Sequence, residues 1–209
     1  MIDLIIIGAG GRGREFLECI KEINNKIPTY NVLGFLSDYD DVLNGFECDK
    51  KIIGKIKNWI PQGDEKYVLA IDNPLDRQRL AEEFMGRGAQ FISLVSPRAT
   101  IQSYVSIGTG SVILGNSVVL NNTKIGDFCI IAGSTVGDSA RIGSYCNTSG
   151  FSNITNVTIG DRVYVGSHAV ILNKRRIGDD AVVYAGSIVF TNVKAKTKVM
   201  GNPAVKVDF

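Results

Sequence analysis

The residues best suited to chemistry in this chain lie near its start. Gly8-Ala9-Gly10-Gly11-Arg12-Gly13 has the GxGxxG spacing. It follows an apolar run, Asp3 to Ile7, and opens a segment with helical periodicity, which is the context that makes this weak motif meaningful. Glycines let a backbone approach a phosphate closely. A helix N-terminus adds free N–H groups and partial positive charge. Arg12 and Arg14 add formal charge beside them. Asp38, at the end of the second apolar run, is placed to accept a hydrogen bond from a ribose hydroxyl. Gly8, Gly10, Gly11, Arg12, Gly13 and Asp38 therefore form a candidate site for a phosphate-bearing ligand. The alternative is a glycine turn kept for tight packing.

Elsewhere reactive side chains are sparse. His168 is the only histidine. A lone histidine is more often a surface or packing residue than a ligand. One histidine cannot supply the roughly three that a β-helix zinc enzyme needs, so no metal is expected. Cys19, Cys48, Cys129 and Cys146 form no CxxC pair and suggest reduced thiols in a cytoplasmic protein. Lys174-Arg175-Arg176 is either a solvated corner or a contact for phosphates.

The elements that must position these residues divide at Ser96-Pro97. Before that break, strands are expected at Asp3 to Ile7, Val32 to Leu36, Tyr67 to Ile71 and Gln90 to Val95. Helices are expected at Arg14 to Ile23 and Asp76 to Arg87. Alternating β and α units imply a small parallel sheet, a Rossmann-like domain over 1–95. Four strands are few for a redox dinucleotide, and the remaining chain offers no domain for hydride transfer. A nucleotide-activated sugar is the more economical ligand.

From Ile101 onward one spacing dominates. Ile101, Ile107, Ile113, Val119, Ile125 and Ile131 stand six apart. The series resumes at Ile142, Thr148 and Ile154, and again at Ile159, Val165, Ile171, Ile177, Val183 and Val189. Two residues turn a corner and about four extend. Three units close a coil of about eighteen residues, with one side chain per unit pointing inward. No coil buries its face alone, so coils stack. Fifteen anchors give about five coils over 96–209, a parallel β-helix. Two spacings are one residue short, Ile131 to Ile142 and Ile154 to Ile159. They lie about one coil apart and are expected on the same side.

Charge is mildly uneven. Residues 1–94 hold 12 Lys and Arg against 15 Asp and Glu, and the rest hold 11 against 6. The basic half suits a polyanionic small ligand but lacks the clustered face that nucleic acid requires. No run of about 18 apolar residues appears, so no membrane span is expected.

Ile6-Ile7-Gly8-Ala9-Gly10-Gly11-Arg12-Gly13-Arg14-Glu15, Gly34-Phe35-Leu36-Ser37-Asp38, Ala185-Gly186-Ser187 and Val199-Met200-Gly201-Asn202-Pro203-Ala204 together resemble the hexapeptide-repeat sugar acetyltransferases. That family modifies sialic acids or bacterial nucleotide-linked amino sugars. The resemblance covers nearly the whole chain. It implies an α/β domain followed by a left-handed β-helix, a homotrimer, and a nucleotide-sugar on the N-terminal domain. It implies acetyl-CoA as co-substrate along the β-helix, beside Asn147, Gly166, Ser167, Ala185, Gly186 and Gly201. The family's general base is a histidine in an H-D-x-x-I-G stretch. Here the matching stretch is Val136-Gly137-Asp138-Ser139-Ala140-Arg141-Ile142-Gly143, which contains no histidine. Three readings stay open: Asp138 as base, His168 as base from a new position, or ligand binding without catalysis, as a scaffold.

Overall fold

The computed structural model describes residues 1–208. The chain divides into two compact units, Met1–Pro97 and Arg98–Phe209.

The first unit is a parallel sheet of β1 (Ile2–Ile7), β2 (Tyr30–Leu36), β3 (Ile52–Gly54), β4 (Lys66–Leu69) and β5 (Gln90–Phe91), in the order β3-β2-β1-β4-β5. Helices α1 (Gly11–Lys26) and α2 (Pro74–Gly86) connect the strands. Leu4 to Ile7 are almost fully buried, as a central parallel strand requires. On α1, Phe16, Leu17 and Ile20 supply the packed stripe. The sheet has five strands, where four were expected. Ile52–Gly54 is a three-residue edge strand without an apolar run. It pairs with β2 because Gly34 leaves room: a Cβ there would sit 2.5 Å from Ile53. The β1 strand lies between β2 and β4, so the strand order reverses at its carboxyl end. In such sheets this is where ligands bind.

The second unit is a three-faced parallel β-helix. Ile101, Val119, Val136, Ile154, Ile171 and Val189 stack on the first face. Ile107, Ile125, Ile142, Ile159 and Ile177 stack on the second. Ile113, Ile131, Thr148, Val165, Val183 and Val199 stack on the third. Most of these anchors join one buried core. Thr148 is tolerated inside because its hydroxyl accepts from Ser134 Oγ at 2.8 Å. Apart from Lys198–Gly201 and Ala204–Lys206 at the end, each strand holds only two residues, so about four turn most corners.

The six-residue spacing skips Val136, an anchor five residues after Ile131. The first short unit therefore turns from the third face to the first. The second, Ile154 to Ile159, turns from the first face to the second. The two irregularities lie at different corners, against the expectation that they share a side. Non-glycine residues turn many corners in the left-handed region, with φ from +50 to +63°. This conformation costs about 1 kcal/mol or more per residue. From Asn122 onward it is held because the N–H of each bonds to the coil before, as in Arg162 N to Ser144 O at 2.8 Å.

Candidate functional site

The glycine loop forms one wall of a cleft at the carboxyl ends of β1 and β4. The cleft, about 300 Å³, is lined by Gly8 to Arg12, Ser37 to Tyr39, Val42, Ile56 and Ala70 to Asp72. Gly8 has φ +104°, and a Cβ there would lie 2.6 Å from the Ala70 carbonyl. Gly10 and Gly11 face open space, with nothing within 4 Å of a Cβ position. Gly10 occupies the N-cap of α1 and no side chain caps the helix. The first-turn N–H groups of α1 are thus left for a ligand, with the helix dipole behind them.

Two acidic loops flank this terminus. Arg12 Nε donates to Asp72 Oδ1 at 2.7 Å, and Arg12 also pairs with Glu15. Arg77, only 1% exposed, donates to Ile71 O at 2.6 Å and to Asp72 O at 3.2 Å. A buried guanidinium thus fixes the loop that carries Asp72. On the other side, Ser37 Oγ accepts from Tyr39 N and donates to Tyr39 O. Asp38 Oδ1 accepts from Lys57 N at 3.1 Å, and its side chain is exposed.

Five of the six expected residues, Gly8, Gly10, Gly11, Arg12 and Asp38, line this cleft. Gly13 does not. A Cβ on it would sit 2.1 Å from Gly8 O, so its glycine serves helix-to-loop packing. Asp72, Tyr39 and Arg77 were not singled out from sequence. Asp72 was findable, because it follows directly on a buried parallel strand.

On the β-helix, the corner from third to first face carries Gly133, Phe151, His168 and Gly186, all with positive φ. The coils are tied there by Phe151 N to Gly133 O, His168 N to Gly150 O and Gly186 N to Ser167 O, at 2.8, 3.0 and 2.8 Å. Gly166, Ser167, Ala185 and Gly186 share this edge. A Cβ on Gly166 would lie 2.5 Å from Ala185 N. Asn147 is buried on the adjoining third face, and Gly201 is the last residue of the strand Lys198–Gly201 on that face. The His168 ring is exposed and stacks on Phe151, with centroids 5.1 Å apart. Among the described residues, no carboxylate lies within hydrogen-bonding distance to orient it.

Asp138 sits elsewhere, on the corner from first to second face. It is half-buried and accepts from Ser139 Oγ at 2.9 Å. Asp138 and His168 therefore occupy different edges of the β-helix and do not form a pair within one chain.

Residues 3–84 match the PglD N-terminal domain, and residues 89–175 match the GMPPB C-terminal domain. GDP-perosamine N-acetyltransferase of Escherichia coli O157:H7 is 30% identical over 179 residues, covering 79% of this chain and 76% of that protein. The acetyltransferase domain of PglB from Neisseria gonorrhoeae FA1090 superposes with a TM-score of 0.88 at 25% identity, covering 99% of this chain and 100% of that one. Its complex with acetyl coenzyme A gives 0.87 at 25% identity, covering 99% of each chain.

Proposed function

This chain belongs to the hexapeptide-repeat sugar acetyltransferases, and from that membership we propose that it moves an acetyl group from acetyl-CoA to the amine of a nucleotide-linked amino sugar. The observation that carries the acceptor side is the uncapped α1 N-terminus in the glycine cleft. Backbone N–H groups there suit a diphosphate, and Asp38 suits a ribose hydroxyl. The relative named for an N-acetyltransferase supports an amine over a hydroxyl, and the neighbour solved with acetyl coenzyme A supports the donor.

The amine nitrogen attacks the thioester carbonyl carbon, a C–N bond forms, and the C–S bond breaks to release the thiolate. One proton must leave the nitrogen. After attack that N–H is far more acidic than the free ammonium, so a weak base is enough for an amine. A sugar hydroxyl would need a stronger one. We assign the proton acceptor to Asp138, whose carboxylate is hydrogen-bonded and half-buried. Among the described residues His168 has no orienting carboxylate, and it stacks on Phe151 instead. Positioning of amine and thioester supplies much of the remaining rate. The donor lies along the edge of Gly166, Ser167, Ala185 and Gly186 of one copy, which in a trimer closed on the first face meets the Asp138 edge of the next copy.

We further assign a homotrimer. Val118, Leu120, Val170, Leu172, Ile188 and Phe190 flank the inward anchors of the first face and are partly exposed. A second copy would cover this apolar surface. No described helix is long and apolar enough to cross a membrane. A cytoplasmic location would give the enzyme both substrates.

The test is thiol release from acetyl-CoA against a panel of nucleotide-linked 4-amino and 3-amino sugars and their hydroxyl counterparts. Turnover with an amino sugar alone is expected. Binding of both ligands with no turnover on any acceptor would replace this reading with a scaffold.

A further inference from the structure

The end of the β-helix holds cations that the protein itself does not neutralise. Lys174, Arg175 and Arg176 follow one another at a corner from first to second face. Nearby carboxylates are already engaged. Asp180 binds Arg162, Asp179 Oδ1 accepts from Asp161 N, and Asp208 pairs with Lys206. Arg176 N donates to Asn192 Oδ1 at 2.9 Å, but among the described residues the side chains of Lys174, Arg175 and Arg176 make no hydrogen bond or ion pair.

Arg175 is anomalous in its row. Residues two positions before each second-face anchor are Val105, Thr123, Ala140, Val157 and Arg175. Thr123 and Ala140 are fully buried, and Val157 is 2% exposed. Val105, Ala140 and Val157 pack in or against the core. Arg175 places a guanidinium where the other coils place small or apolar side chains. Its Nε is buried and has no hydrogen-bond partner among the described residues. The next coil turns the same corner from Val189 to Val193 in four residues rather than six, so the corner above Arg175 is shorter. A buried donor left unsatisfied is costly unless a ligand completes it.

We infer that Arg175, with Lys174 and Arg176, forms a phosphate-binding site, and, resting on the function proposed above, that it takes the phosphates of the acyl donor. The same edge supports this. Asn156 N bonds Asp138 O, and Lys174 N bonds Asn156 O, so the basic corner lies two coils from Asp138. At strand spacing that is about 10 Å along the axis. An extended donor with its thioester near Asp138 would carry its phosphates toward this end. The nucleotide-sugar diphosphate is the other source of the same chemistry.

The test is calorimetric titration of the full chain and its Arg175→Leu variant with CoA and, separately, with a nucleoside diphosphate. Leucine suits the row, so the variant should melt no lower than wild type while its CoA affinity falls at least tenfold. A loss confined to the nucleoside diphosphate would keep the site and reassign its phosphate. Pyrophosphate is also titrated in a Gly10→Asp background, where the new carboxylate closes the glycine cleft to phosphate. Binding there that Arg175→Leu abolishes supports the site even if the wild type turns over no acetyl-CoA. Unchanged affinity for CoA and for the nucleoside diphosphate, with no Arg175-dependent pyrophosphate binding, overturns it.

Discussion

Replacing Gly10 by aspartate should raise stability slightly and weaken nucleotide binding a hundredfold or more at once. Gly10 is the N-cap of α1 with φ −68° and ψ −165°, a conformation any L residue adopts. Nothing lies within 4 Å of its Cβ position, so the side chain enters without a clash. An N-cap aspartate accepts from first-turn N–H groups and stabilises over glycine by about 0.3 kcal/mol. The same carboxylate takes the donors a diphosphate needs and opposes its charge. Two unit charges about 4 Å apart near a protein surface repel by roughly 4 kcal/mol before salt screening. Screening reduces that to about 2 kcal/mol. Loss of one charge-assisted hydrogen bond adds about 1.5 kcal/mol. Together these weaken binding by about two to three orders of magnitude. Calorimetry with a nucleoside diphosphate reads the affinity, and thermal melting reads the stability. Gly10→Ser serves as the uncharged cap, with a milder loss. If Gly10→Asp melts like wild type and binds the diphosphate as tightly, the ligand does not sit on the helix terminus and the reading of the cleft is wrong.

Asp138→Asn should lower kcat by about 10²-fold and leave both binding affinities in place, whereas His168→Ala should change kcat by less than about threefold; steady-state kinetics of the two variants decides between them. Gly8→Ala should destabilise the first unit by roughly 2–4 kcal/mol, read by denaturant unfolding, because φ +104° and a carbonyl at 2.6 Å both oppose a methyl group. The Arg162 hydrogen bonds hold the Asp180 carboxyl below its ordinary pKa of 3.8. That contribution is fully present above about pH 4 and is lost as pH falls through the depressed value. Asp180→Asn should therefore lower the melting temperature at pH 7, and the gap should close on acidification toward pH 2.

Fold class was legible because both halves carry strong periodic signals. Leu4 to Ile7 and Tyr67 to Leu69 read as buried parallel strands and are so. The β-helix anchors recur at six and stack as that spacing requires. What escaped was short or irregular. Ile52–Gly54 has too few residues to show a period, and its existence depends on Gly34 in the neighbouring strand. Val136 was passed over because a unit of five breaks a search for six. In the cleft, glycines and Asp38 were visible as a motif, but Arg77 was not. Its role follows from where its guanidinium reaches, six residues back to Ile71 O, and no composition signal marks that.

The β-helix site was harder for a geometric reason. Side chains at corners meet only when they lie on the same edge, and edges recur every seventeen or eighteen residues in this chain. From Asp138 to His168 is 168 − 138, or 30 residues, five units where three or six would be needed to share an edge. Counting units separates the two from sequence alone, with the one five-residue unit between them, Ile154 to Ile159, included. By the same count, 174 − 138 is 36, six units, which returns Lys174 to the edge of Asp138. The backbone ladder through Asn156 joins these two residues. The proposed base in the middle of one edge and the proposed phosphate site at its end match what a long, polyanionic thioester donor requires. Corner phase, more than residue type, decides which side chains of a β-helix can act on one ligand.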